Sequence, residues 1–184
     1  MKSFLISAAA GMALLTGCAT ALKAHSDHDA SQNFSAYRTF AWMADQPMIA
    51  PPDDVARVSP LNRRRIEEAV ENALAAKGFQ KAPDRAGADF VVSYSVGARD
   101  RIDSRSFPAP YADAWRWGYP YFGHDVDVQV YREGTLAIDV FDGKTHQPVW
   151  HGWASKRVTE HDVRHAAEQI PPAVVSILGK FPPR

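Results

Sequence analysis

The chain has 184 residues, with 21 Lys and Arg against 21 Asp and Glu, and therefore no formal net charge at neutral pH. A balanced charge supplies no field to steer a polyanion, which argues against nucleic acid as a partner. The length suits one domain with an ordinary core, and the single cysteine leaves that core without an internal disulfide.

Lys2 forms a small positive start, and Phe4 to Leu15 is an unbroken run of apolar and small residues. Twelve residues of helix span about 18 Å, well short of the ~30 Å hydrocarbon core of a bilayer. The run therefore predicts the apolar region of a signal peptide rather than a transmembrane helix. Leu15-Thr16-Gly17-Cys18 follows it and contains the only cysteine. This stretch resembles the lipobox of bacterial lipoproteins, which implies cleavage between Gly17 and Cys18 and acylation of Cys18. In a Gram-negative host, Ala19 after the cysteine implies, by the sorting rule of that class, the outer membrane. The alternative is an ordinary secretory signal cut after Ala19 to Ala21, which would remove Cys18.

Residues 1–17 are thus read as a lipoprotein signal, 18–32 as a flexible tether and 33–184 as a single domain. The tether contains His25, Asp27, His28 and Asp29 and shows no apolar period. Phe34 to Trp42 predicts a strand, and the proline-containing stretch from Met43 to Val58 a loop. Ser59-Pro60 is a good helix start. Ile66, Val70, Ala73, Leu74 and Lys77 then recur at helical spacing up to Gly78, which suits a helix end. Arg63 with Glu67, and Arg64 with Glu68, are spaced as i,i+4 pairs.

Asp89 to Val96 alternates as a strand, with Phe90, Val92, Tyr94 and Val96 on one face. Val126 to Tyr131 predicts another strand, followed by a turn at Arg132-Glu133-Gly134. Leu136 to Phe141 and Pro148 to Ser155 are two more, joined by a turn at Asp142-Gly143-Lys144. A helix is expected from Thr159, where Thr159 and Asp162 match a capping box. Its apolar side is expected to carry Val163, Ala166, Ala167 and Ile170, with a kink or break at Pro171-Pro172 before Val174, Val175, Ile177 and Leu178. These elements predict a two-layer α+β fold: an antiparallel sheet of about five strands with two main helices packed on one face.

An ordered series of motifs then becomes visible. Asp29, Asn33-Phe34 and Tyr37-Arg38-Thr39-Phe40-Ala41-Trp42 open it. Leu74-Ala75-Ala76-Lys77-Gly78-Phe79 and Ala88-Asp89-Phe90-Val91-Val92-Ser93-Tyr94 continue it. Gly134-Thr135-Leu136-Ala137-Ile138-Asp139, Val149-Trp150-His151-Gly152-Trp153-Ala154 and Phe181-Pro182-Pro183 complete it. In this order the chain resembles the DUF4136 family of lipoproteins over nearly all of residues 18–184. His151 stands where that family more often has Arg or another polar residue. The resemblance implies a periplasm-facing lipoprotein domain of undefined biochemical role, and it supplies no catalytic residues.

Several groupings could carry chemistry. His161 and His165 are four apart on the last helix and could share a metal, but no further ligands occur at a recognisable spacing. The His25 to Asp29 cluster is an ordinary composition for a polar linker. His124, Asp125 and Asp127 lead into a strand, where two acids would have to be fixed in a cleft to act as a hydrolytic pair. Ser93 and Ser95 lie on a strand rather than in a nucleophile elbow. No cofactor is implied.

The segment from Phe107 to Phe122 is dense in rings, including Tyr111, Trp115, Trp117, Tyr119 and Tyr121, and is long for a connection between strands. Two readings stand. The rings complete the core over an open sheet face, or they form a surface that binds a partner or the membrane. The sequence therefore predicts a lipid-anchored, non-catalytic envelope module. Its partners would be the membrane, through the anchor, and an unidentified envelope protein, glycan or lipid. The alternative is a small metal-dependent or hydrolytic periplasmic enzyme using His161, His165 or the Asp125 and Asp127 pair.

Overall fold

The computed structural model describes residues 22–45, 47–48, 58–102 and 130–183. Six strands occur in it: β1 (Ala24–His28), β2 (Thr39–Trp42), β3 (Gln80–Lys81), β4 (Phe90–Ile102), β5 (Val130–Asp142) and β6 (Pro148–Arg157). The helices are α1 (Pro60–Ala76), α2 (Glu160–Arg164) and α3 (Ala166–Leu178). The strands form one sheet in the order β1-β6-β5-β4-β2-β3, so the α+β class is as expected, with six strands rather than five.

The sheet is mixed. β4, β5 and β6 form an antiparallel meander, and β1 pairs antiparallel with β6. β2, however, runs parallel to both β3 and β4. The reason is the crossover: α1 carries the chain from the end of β2 back to its start, and a strand reached by such a path must run in the same direction.

Both long helices cover one face. Ile66, Val70 and Leu74 of α1 and Val174, Ile177 and Leu178 of α3 share a core with Phe90, Val92 and Tyr94 of β4, Ile138 and Val140 of β5, and Trp150 of β6. Gly78 ends α1 with φ +89°, a conformation that favours glycine. Phe181 lies at the centre, fully buried. Its ring centroid is 5.3 Å from that of Trp150, 5.4 Å from Phe90, 5.7 Å from Phe79 and 6.0 Å from Phe34.

Five local expectations are corrected. Residues 24–28, placed in a tether spanning 18–32, are an edge strand. Opposite Trp150 to Ala154 they find a row of backbone partners, and pairing these groups needs no apolar period. Residues 34–36 form a 3₁₀ turn instead of the start of β2, because the Asn33 side-chain oxygen accepts from the Ser35 amide at 3.1 Å and the Ser35 hydroxyl at 2.7 Å. Such local bonds compete with a ladder.

The expected turn at Arg132-Glu133-Gly134 is absent, and β5 runs straight through it, paired on both sides. Gly134 marks a close approach instead: a Cβ there would lie 2.6 Å from Cγ2 of Val158. The expected turn at Asp142-Gly143-Lys144 does form.

The last helix is interrupted at His165 rather than at Pro171-Pro172, which lie inside α3. The carbonyls the two prolines leave without amide partners belong to Ala167 and Glu168, both exposed residues, so water can satisfy them. Val163 and Val175 were assigned to the apolar side but are 66% and 59% exposed.

Gly152 shows how tightly β6 meets the helices. A Cβ at this position would fall 2.1 Å from the Trp150 ring and 2.9 Å from Cγ2 of Ile177. Overpacking of this kind costs about 1–3 kcal/mol. Gly152→Ala is therefore expected to lower the urea midpoint with an unchanged m-value.

Candidate apolar binding cleft

An open cleft lies between α1, the α2–α3 corner, the middle of β4 and β5 and the end of β6. Val96 and Leu136 form its floor from the sheet, Ile66 and Val58 one wall, and Ala166, Ile170 and Ala173 the other. Leu22, the first described residue, also lines it. The cleft encloses about 250 Å³, just below the range of about 300–1,000 Å³ common for small-molecule pockets. Small side chains at Ala166 and Ala173 leave the space that larger residues would fill.

Its polar edge is already paired. The Lys156 ammonium donates to Asp162 Oδ1 at 2.7 Å and to Gln169 Oε1 at 3.1 Å. The other Asp162 oxygen accepts from the Thr159 amide and hydroxyl at 2.9 and 2.8 Å, completing the expected capping box. The Lys156 ammonium and then the Thr159 groups hold the Asp162 carboxyl well below the usual carboxylate range. What remains is mostly hydrocarbon, beside Asn62 and Thr135, so the cleft suits a narrow apolar group. Val163, although 66% exposed, is one of its lining residues.

Two polar networks serve the fold. The Tyr37 hydroxyl donates to Asp142 Oδ2 at 2.9 Å, and the Gln32 amide donates to the same Tyr37 oxygen at 2.8 Å. Asp142 Oδ1 accepts from the amides of Lys144 and Thr145 at 3.0 and 2.8 Å. Burial alone would raise the Asp142 carboxyl, but these bonds together hold it below its ordinary value. Burial, reinforced by Asp142, pushes the Tyr37 hydroxyl up. Asp89 similarly accepts from the amides of Arg38 and Thr39, joining the start of β2 to that of β4.

The opposite sheet face carries a row of chemistry-bearing residues. The indole of Trp153 stacks with the imidazoles of His25 at 5.4 Å and His151 at 5.1 Å. His151 Nδ1 lies 2.6 Å from Asp139 Oδ1, and Asp139 is in register with Ser93. Ser93 is fully buried, and its hydroxyl has no hydrogen-bond partner among the described residues. Serine, carboxylate and imidazole thus share a row, but in an order that does not make a nucleophile. Ser93 and His151 sit two strands apart, about 9–10 Å, with Asp139 between them. A serine nucleophile requires its base within hydrogen-bond reach.

His161 and His165 do come together, with ring centroids 4.0 Å apart. His165 Nδ1 is 2.9 Å from the His161 carbonyl, while the intervening Asp162 is committed to Lys156 and Thr159. Among the described residues no group of three His, Cys, Asp or Glu is placed to hold a metal ion. Gly17 and Cys18, the rings Tyr111, Trp115, Trp117, Tyr119 and Tyr121, and the His124, Asp125 and Asp127 group lie outside the described residues. The sequence alone does not reveal the cleft, because its residues read individually as core. A signal existed in Ala166 and Ala173, two small residues seven apart on one helical face.

The family model described as "Domain of unknown function (DUF4136)" matches residues 24–183. A crystal structure of a DUF4136 family protein from Bacteroides thetaiotaomicron VPI-5482 is similar with a TM-score of 0.53 and 19% identity, covering 88% of this chain and 96% of that one. A PDZ domain protein from Parabacteroides distasonis ATCC 8503 is similar with a TM-score of 0.52 and 13% identity, covering 89% of this chain and 36% of that one. At these identities the likeness is one of fold. No curated protein matches the sequence.

The Lys156–Asp162 pair predicts a pH dependence. A carboxyl depressed in the folded state contributes stability above its unfolded value, about 3.9, and loses that contribution as pH falls through the folded value. Wild type should therefore be more stable than Asp162→Asn at neutral pH, and the gap should narrow progressively below about pH 4 in urea titrations.

Proposed function

This chain belongs to the DUF4136 family, and we propose that it serves as a lipid-anchored, non-catalytic module of the bacterial envelope. In this reading its domain is held at the membrane surface, facing the periplasm from the outer membrane, and binds an apolar partner group. The observation that supports the reading is how the domain holds the residues that follow Cys18. Leu22, four residues after Cys18, is held by a 2.5 Å bond from the Ser176 hydroxyl to its carbonyl, and β1 starts two residues later. Four residues span at most about 14 Å.

A lipid on Cys18 would therefore lie near the cleft, since Leu22 is one of the residues that line it. An acylated Cys18 would hold this end of the domain against the bilayer, where apolar groups are abundant. One acyl chain binds a membrane only marginally, whereas two or more anchor it stably. Among the described residues no helix is long and apolar enough to cross a membrane.

Cys18→Ser tests the anchor. The variant should lose palmitate labelling and move from the membrane to the soluble envelope fraction, with the thermal transition of the domain retained. Continued labelling and membrane partition would overturn the proposal.

A further inference from the structure

We infer that the cleft between α1, α3 and the sheet houses one acyl chain of the protein's own lipidated Cys18. The inference rests on the anchor reading above and names what the cleft binds. Three observations point to this occupant. The cleft is lined mainly by hydrocarbon, with Asn62 and Thr135 among its few polar residues, and its one charged cluster, Lys156 with Asp162, is internally neutralised, which disfavours a charged head group. Its volume of about 250 Å³ favours a slender chain over a ring system. Val163 also lines the cleft yet is 66% exposed, an apolar side chain at the mouth with nothing described to cover it.

Proximity selects the source. The link from Leu22 to Cys18 is at most about 14 Å, so a chain attached at Cys18 meets the cleft as an intramolecular ligand. Short links of this kind give effective concentrations on the order of millimolar. Moving the chain from bilayer to cleft exchanges one apolar environment for another, so the change in burial is small. Two further chains on Cys18 suffice to keep the anchor in the membrane. The polar edge lies on the α2 side, and Leu22 lines the cleft where the link arrives.

The test uses the full chain made in cells fed a palmitate analogue that carries a photoreactive diazirine. After irradiation in membranes, crosslinks from the Cys18 acyl group should map to α1 and α3, at Ile66, Ile170 and Ala173. Filling the cleft with Ala166→Trp or, independently, Ala173→Leu should abolish these crosslinks, with the thermal transition confirming a folded domain. Ala167→Trp, on an exposed position of the same helix, should leave them in place.

Failure separates cleanly from failure of the anchor. Absence of label on Cys18 overturns the anchor and with it this inference. Label on Cys18 with crosslinks only to bilayer lipid overturns the inference alone. Cleft labelling that persists in Cys18→Ser assigns the site to a chain from a membrane lipid, and likewise overturns it.

Discussion

The ring cluster around Phe181 is the constraint on which the rest of this structure depends. Four aromatic side chains from separate parts of the chain meet one residue near its end: Phe34 before β2, Phe79 after α1, Phe90 at the start of β4 and Trp150 on β6. Aromatic pairs contribute about 0.5–1.5 kcal/mol beyond their buried area. Position matters as much as energy here. The cluster fixes where α3 ends, and through α3 it sets the separation between that helix and α1. The cleft exists at the other end of the same interface, where Ala166 and Ala173 replace large side chains and the two helices are no longer bridged by rings.

How much of this was legible follows from which forces left a pattern in the sequence. The core-facing sides of β4, the later part of β5, and α1 are recorded as alternation or helical spacing, because the apolar residues that meet the shared core recur at the period of each element. The capping box at Thr159 was readable for the same reason, being a local bond with a fixed spacing. β1 left no such record. Its His25, Ser26 and Asp27 are exposed, and what holds them is backbone pairing to β6, to which side-chain hydropathy is blind. Gly134 shows the converse case. Its glycine signal is real, but it reports the nearness of Val158 rather than a turn, and only the fold decides between those two meanings. The cleft was hidden because absence of bulk at Ala166 and Ala173 is informative only once the facing helix is in place.

The polar residues of the recurrent motifs also find physical roles. Tyr37 closes a buried bond to Asp142, and Asp89 gathers two amides at the head of β2. Gly152 leaves room for the Trp150 ring. These are architectural tasks, so an ordered motif series can identify a fold without naming a chemistry. Chemical character is concentrated instead on the opposite face, in the row from His25 through Trp153 and His151 to Asp139. There, strand spacing keeps Ser93 beyond the reach of the imidazole.

The edge position of β1 has a mechanical consequence. Tension entering at Leu22 meets β1 at one end, so its five pairs with β6 are strained in succession, beginning with Ala24 and Ala154, rather than as a block. Peeling the strand would release about 17 Å of extended chain. It would stop where Asp29 bonds the Val149 carbonyl and Gln32 joins the Tyr37–Asp142 pair. Under such a pull β1 would thus be expected to give way before the rings around Phe181 bear load.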